Sequence, residues 1–257
     1  MDLPPIGLGT MGLDDANPIA AAIDLGYRHL DTARIYDNEA VVGEGLAASD
    51  VAREDVAVAT KIWVDDLAPD DVEPAARESA DRLGVDVIDL LYVHRPYDPY
   101  DPAKTLGALA TLRDDGLVGA VGVSNFELAE LDAAIGVLER CGIPLAAHQT
   151  ELHPLCYRPE LIEHAREHDY TVVAYAPLAG GRVREIDAVV DVAERRGVTP
   201  EAVSLAWVCS KGPVVAVPKA SSEAHQRANL AAAELRLTPA EIAAIDAVER
   251  EIELYPE

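Results

Sequence analysis

Four residues of this 257-residue chain, Asp31, Tyr36, Lys61 and His94, have the types needed to move a proton onto a carbonyl oxygen. A free tyrosine has a pKa of about 10, too high for a ready acid or base at neutral pH. A neighbouring ammonium stabilises the phenolate and lowers that value. Lys61 would do this for Tyr36, and Asp31 would hold Lys61 charged and in place. His94 would hydrogen-bond the substrate oxygen and fix its angle. The phenol then protonates the oxygen as a hydride reaches the carbon. Side chains cannot supply hydride, so a nicotinamide cofactor, NADPH or NADH, is implied. Taken singly, each residue has a plainer reading: Asp31 as a helix cap, Tyr36 as packing, Lys61 as a solvated charge, His94 as a strand-end histidine. The case rests on their being brought together.

The elements that must do so are legible as periodic runs. Apolar stretches recur at residues 6–10, 27–32, 56–62, 87–93, 118–124, 145–150, 171–177 and 214–219. They are rich in Val, Ile, Leu and Ala, as strands buried on both faces should be. Helices are predicted between them at residues 18–26, 69–84, 102–116, 127–142, 159–168 and 186–197, with a further helix at 200–212 and two closing helices at 221–234 and 239–251. Several open on proline and close on glycine, the usual asymmetry of helix ends. Eight strand–helix alternations in one chain of this length predict an α/β fold, a (β/α)₈ TIM barrel, as a single domain over residues 1–257. The alternative is an open doubly wound sheet. Gly7-Leu-Gly9-Thr-Met-Gly12 fits its phosphate-binding spacing, but no acidic residue follows a second strand in the required frame and Pro5 directly precedes the motif.

In such barrels, chemistry sits at the C-terminal strand ends. Asp31 and Tyr36 follow the second run, Lys61 the third, His94 the fourth, Ser124 and Asn125 the fifth, Gln149 the sixth, Tyr175 the seventh, and Pro218 and Lys219 the eighth. An acid, a phenol, an amine and an imidazole would then face one cavity.

Charge and composition narrow the class. Lys plus Arg number 21 against 46 Asp plus Glu, a net charge of −25, which repels nucleic acid and anionic membranes. The acids are spread along the whole chain, a pattern suited to staying hydrated and screened at high salt, so a halophilic source is expected. Hydrophobic residues make up 49% of the chain, enough for a large core. Only four lysines occur, Lys61, Lys104, Lys211 and Lys219, and two fall at strand ends. A chain that avoids lysine keeps it where arginine cannot act as a compact, titratable point charge. Cys141, Cys156 and Cys209 lack metal-ligand spacing and suit reduced thiols. The opening MDLPPIGLGTMGL has no basic or long apolar segment, and no run approaches ~18 uninterrupted apolar residues, so no leader or membrane span is expected. A cytoplasmic monomer acting on a small carbonyl compound follows as the expectation.

At these residues the sequence resembles the aldo-keto reductases over nearly its whole length. The motifs are IGLGT (6–10), AAIDLGYRHLDTARIYDNEAVVGEGL (21–46), ATKIW (59–63), LLYVHRP (90–96), VGAVGVSNF (118–126), HQTELHP (148–154), VVAYAPL (172–178) and VAVPKASS (215–222). The resemblance implies a (β/α)₈ barrel reducing aldehydes or ketones with NADPH, less often NADH. It implies acid–base duty for Tyr36 with Lys61, Asp31 and His94 as partners. Ser124, Asn125 and Gln149 would hold the nicotinamide carboxamide, with Tyr175 stacked on the ring. Leu178, Lys219 and Asn229 would hold the phosphates and adenine end, and Thr10, Pro218 and His225 complete the expected cofactor wall.

The departures from the family pattern concern the periphery. Ala220 stands where a serine usually follows the strand-eight lysine, and His225 where an arginine usually faces a 2′-phosphate, so a bidentate partner is lost. Met11 and Arg95 stand where tryptophans are common, while Trp63 is kept. Arg95 either pairs with a surface acid or faces the pocket and favours carboxylated or polyhydroxylated carbonyls. Short loops and termini resemble compact prokaryotic members, including diketogluconate reductase-like enzymes. Two other functions compete: a non-catalytic NADP-binding regulatory or sensor protein on the same barrel, and a metal hydrolase drawing on His29, His94, His148 and His153.

Overall fold

The computed structural model describes residues 2–249 and 251–255. Eight strands run parallel in sequence order: β1 (Leu8–Gly9), β2 (His29–Asp31), β3 (Ala57–Ile62), β4 (Ile88–Val93), β5 (Val118–Ser124), β6 (Ala147–Glu151), β7 (Thr171–Tyr175) and β8 (Val214–Ala216). Parallel bridges Ile6↔Ala216 and Gly9↔Lys219 join the first strand to the last, with Gly7 N donating to Ala216 O at 2.9 Å. The sheet thus closes into the expected (β/α)₈ barrel. The first and last strands are shorter than their apolar runs. Pro5, Pro213 and Pro218 have no N–H to offer a ladder at those ends.

The helices pack outside the sheet: α1 (Asn17–Leu25), α2 (Glu39–Ala48), α3 (Pro69–Leu83), α4 (Pro102–Asp114), α5 (Leu128–Arg140), α6 (Pro159–His168), α7 (Asp187–Arg196), α8 (Pro200–Cys209), α9 (Glu223–Ala232) and α10 (Pro239–Asp246). Proline opens α3, α4, α6, α8 and α10, and left-handed Gly26, Gly84 and Gly197 follow α1, α3 and α7. The last helix ends at Asp246, short of the expected residue 251; Arg250 within that span, and Met1, Pro256 and Glu257 at the ends of the expected 1–257 domain, lie outside the described residues. Among the described residues, no helix is long and apolar enough to cross a membrane.

One helix, α2, has no counterpart among the sequence-predicted elements. Gly43 and Gly45 weaken its helical signature, since glycine is a poor helix former. Both are there for close approach. A Cβ on Gly43 would stand 2.5 Å from Leu83 O, and one on Gly45 would stand 2.6 Å from Ile19 Cβ. Packing of α2 against α1 and α3 outweighs the local propensity.

Two apolar layers result. The larger lies between sheet and helices and includes Leu30, Val58, Ile62, Leu91, Val93, Val123 and Trp207. The smaller fills the barrel interior with Ala59, Leu90, Tyr92, Ala147, Val173 and Val217. Register decides which polar groups share that interior. Asp31 pairs with Ala59, Ala59 with Leu90, and Lys61 with Tyr92, so Asp31 and Lys61 project to the same side as the small core.

Candidate active site

Lys61 is fully buried, with no exposure at all. Its Nζ donates to Asp31 Oδ1 at 2.7 Å and to Thr32 O at 2.7 Å. The other Asp31 oxygen, Oδ2, accepts from Gln149 Nε2 at 2.7 Å. Burial lowers the Lys61 pKa, but the charges of Asp31 and Tyr36 and the hydrogen bonds to them outweigh it and hold the ammonium's pKa above its ordinary value. A buried pair with its remaining oxygen and protons satisfied is the form in which such ions are tolerated.

Tyr36 comes from a short 3₁₀ turn, Arg34–Tyr36, after β2. The turn is anchored by its first residue: Arg34 Nε to Asp66 Oδ2 at 3.0 Å, Nη1 to Ala75 O at 2.7 Å, and Nη2 to Glu78 Oε2 at 3.1 Å. Asn38 anchors the other side, donating to Thr10 O at 2.7 Å and Leu13 O at 3.0 Å while accepting from Thr32 Oγ1 at 2.8 Å. Glu39 then accepts from Thr60 Oγ1 at 2.5 Å and from Arg82 Nη2 at 2.6 Å. The phenol therefore stands on a loop fixed to three separate elements.

Lys61 Nζ lies 5.2 Å from the centre of the Tyr36 ring. Its effect on the phenol differs from the sequence expectation. Burial raises the Tyr36 pKa more than the Lys61 charge lowers it, and Asp31 adds to the rise. The resting group is a phenol carrying its proton. His94 meets Tyr36 edge-on at 6.1 Å between ring centres and Trp63 edge-on at 4.9 Å. Burial, then the positive charges of Lys61 and Arg95, push its pKa down to about 2, so it is a neutral imidazole. Its Nδ1 is buried with no hydrogen-bond partner among the described residues.

These groups border a cavity of about 680 Å³, a typical size for a small-molecule site. Thr10, Met11, Asp31, Tyr36, Trp63, His94, Arg95, Ser124, Asn125, Gln149, Tyr175, Leu178, Pro218 and Lys219 all line it, and Lys61 lies directly behind Asp31. The remaining two candidates do not: His225 is exposed on the first turn of α9, and Asn229 is buried on the same helix beside Tyr27. Three lining residues fall outside every motif quoted above: Gly180, Gly181 and Tyr255. Tyr255 arrives from the C-terminal segment. Glu151 holds it there by accepting from Leu254 N at 2.8 Å and Tyr255 N at 3.1 Å, and Tyr255 meets Tyr175 edge-on at 5.8 Å.

The wall opposite Tyr36 suits a nicotinamide. Ser124 Oγ accepts from Asn125 Nδ2 at 3.0 Å, which leaves its own proton to donate. Asn125, held in the left-handed region at φ 60°, donates also to His94 O at 3.0 Å and accepts from Tyr175 OH at 2.9 Å. Amide, hydroxyl and aromatic ring are thus locked together on one face. Leu178, Gly180, Gly181 and the exposed Lys219 line the same cavity.

Arg95 also faces the cavity, with its guanidinium 5.9 Å from the Tyr97 ring centre and Nη1 3.5 Å from the Tyr97 hydroxyl. The four histidines considered as metal ligands are used separately. His148 Nε2 accepts from Phe126 N at 3.3 Å, His153 bonds Glu151 at 2.7 Å, His29 lies buried beneath Asp31 in the sheet, and His94 belongs to the cavity.

The sequence pattern of the aldo/keto reductase family matches residues 5–250. A methylglyoxal reductase, DkgB, of Salmonella typhi is 34% identical, over 97% of this chain and 96% of its own. A crystal structure provisionally assigned as a 2,5-diketo-D-gluconic acid reductase B superposes with a TM-score of 0.93 at 32% identity, covering 99% of this chain and 92% of that one. The aldose reductase of Schistosoma japonicum superposes with a TM-score of 0.90 at 29% identity, covering 99% and 91%.

Proposed function

This chain belongs to the aldo/keto reductase family, and we propose that it reduces small polar aldehydes and ketones to alcohols with NADPH, using Tyr36 as the general acid. The observation that carries this reading is the Asp31–Lys61 pair behind a cavity bordered by Tyr36 and neutral His94. Ser124, Asn125, Gln149 and Tyr175 would hold a nicotinamide dinucleotide, which would supply the hydride. Every other task falls to the chain. Neutral His94 hydrogen-bonds the carbonyl oxygen and sets its angle. The Tyr36 phenol gives its proton to that oxygen as the carbon is reduced, and the resulting phenolate is stabilised by the Lys61 ammonium. Asp31 keeps that ammonium charged and oriented. Solvent then returns the proton to Tyr36. Donors already in place and sheltered from water act without reorganising, which is where most of the rate gain of such sites lies.

The substrate reading follows from the walls and the relatives. Arg95 at the cavity supports carboxylated or polyhydroxylated carbonyls, and relatives named for methylglyoxal and diketogluconate reduction point the same way. NADPH is favoured over NADH because the exposed Lys219 lines the cavity, although His225 is exposed and outside the cavity. The protein is read as one catalytic domain, a cytoplasmic monomer from a salt-loving source. The acidic residues that give the net charge of −25 include long exposed series such as Asp70, Asp71 and Glu73 on α3.

The test is cofactor oxidation at molar KCl with methylglyoxal, dihydroxyacetone and keto sugars, run with NADPH and NADH. Turnover with a higher kcat/KM for NADPH is expected. NADPH binding with no turnover on any carbonyl would instead favour a regulatory protein, and a clear preference for NADH would overturn the cofactor assignment. A melting temperature that does not change between low and molar KCl would overturn the salt-adapted surface.

A further inference from the structure

On the outer ring of helices, three side chains that the proposed reaction does not use converge: Asp132 on α5 and His164 and His168 on α6. Each offers a ligand atom, and these atoms all lie within 4.8 Å of one another. None of the three lines the cavity. We propose that they form a binding site for a Zn²⁺-class transition-metal ion that clamps α5 to α6.

Residues four apart on a helix lie on one face. The His164 and His168 rings accordingly stack at 4.3 Å between centres, 32° from parallel. The neighbouring helix brings Asp132 Oδ1 to 3.1 Å from His164 Nε2. In a tetrahedral zinc site with bonds of about 2.0–2.1 Å, neighbouring ligand atoms stand about 3.3 Å apart. The nitrogen–oxygen pair therefore already has nearly the spacing that a shared metal imposes.

The second ring nitrogen of His164 is engaged as a ligand's should be. Nδ1 lies 2.8 Å from the hydroxyl of Tyr170, which is itself buried. Metal-binding imidazoles characteristically commit the other nitrogen to such a partner, which fixes the tautomer and ring orientation. When Nδ1–H donates to the phenol, the Nε2 lone pair and a carboxylate oxygen face each other, an arrangement that a metal ion bound between them satisfies. The opposite tautomer, with Nε2–H donating to Asp132 and Tyr170 donating to Nδ1, is the metal-free state that the ion displaces.

The surroundings favour a cation. His168 is the last residue of α6, where unpaired carbonyls give the helix a partial negative charge. Glu163, Glu167 and Asp169 adjoin the two histidines in sequence. Arg166, the positive charge in the same stretch, is engaged with the Lys211 carbonyl. Two imidazoles and one carboxylate select zinc, nickel, cobalt or copper over magnesium or calcium, which prefer all-oxygen sets. Three protein ligands leave a fourth position for water.

The test uses the full chain, stripped of metal with a chelator and titrated with zinc chloride by calorimetry, with magnesium chloride as the comparison. One Zn²⁺ per chain is expected, with a higher melting temperature in zinc and none of this in magnesium. Cobalt bound in its place should show the strong visible absorption of a four-coordinate site. Asp132→Asn and His168→Ala, both exposed positions, should abolish binding while leaving the circular dichroism spectrum unchanged. Tyr170→Phe should weaken binding by roughly 10-fold or more. No zinc binding by the unaltered chain, or the same affinity in a His164→Ala/His168→Ala chain, would overturn the site. Carbonyl reduction is measured separately and its absence would leave the metal result standing.

Discussion

The two lysines at the mouth of the barrel stand in opposite environments. Lys61 is fully buried and donates to Asp31 Oδ1 and Thr32 O, each at 2.7 Å. Lys219 is exposed and lines the cavity in front of it. The first is held by a network that fixes one geometry and one protonation state. The second is a solvated charge whose contribution is screened and weak until a ligand covers it. The difference teaches where the chain's specificity is set firmly and where it is open to adjustment: the proton-transfer centre is fixed by packing, and cofactor choice by a few exposed side chains.

Removing the buried member should have the larger effect. Lys61→Met leaves the Asp31 carboxylate in a dry site without its cation, a loss of about 3–5 kcal/mol, together with most turnover. Urea unfolding measures the first and NADPH oxidation the second. Adding Asp31→Asn to the same chain should recover much of the stability and none of the activity. Recovery of activity would mean that the pair acts only as a structural brace.

The pH profile sharpens the contrast next. His94, at about 2, stays neutral throughout the working range, and burial holds Tyr36 above its ordinary value of 10.0. Reduction needs the protonated phenol. Its kcat/KM should therefore stay flat through neutrality and fall only as pH rises past 10. A fall centred near neutral pH would mean that a different group supplies the proton.

At the rim the expected effects are smaller. Lys219→Ala should raise the KM for NADPH by about 10-fold, equivalent to 1.4 kcal/mol, with little change for NADH. His225→Arg should move NADPH affinity the other way by a few-fold, by offering a bidentate phosphate partner. Equal changes for both cofactors in the Lys219 variant would remove its assigned role at the 2′-phosphate.

Much of this was legible from residue order because the barrel translates sequence spacing into position. Apolar runs with proline and glycine punctuation marked the alternation, and the ends of those runs gathered Asp31, Lys61 and His94 at one mouth of the barrel. What was not legible depends on distant contacts. Helix α2 is hidden by Gly43 and Gly45, whose purpose is clear only against Leu83 and Ile19. Arg34 and Asn38 carry no catalytic signature, yet their hydrogen bonds to Asp66, Ala75, Thr10 and Leu13 fix the loop that bears Tyr36. Tyr255 reaches the cavity only because a carboxylate 104 positions earlier holds its backbone. The direction of the Tyr36 pKa shift reversed for a similar reason: the ammonium was readable from the sequence, and the degree of burial was not.

The central claim is that Tyr36 donates the proton, and Tyr36→Phe tests it most directly. The change removes one hydroxyl and keeps the ring that packs edge-on against His94. NADPH affinity, read by quenching of the protein's tryptophan fluorescence, should be unchanged, while kcat for methylglyoxal reduction should fall by roughly 10²–10⁴-fold, the usual worth of a positioned acid. Retention of more than about a tenth of the turnover, outside the range for a lost general acid, would contradict the account.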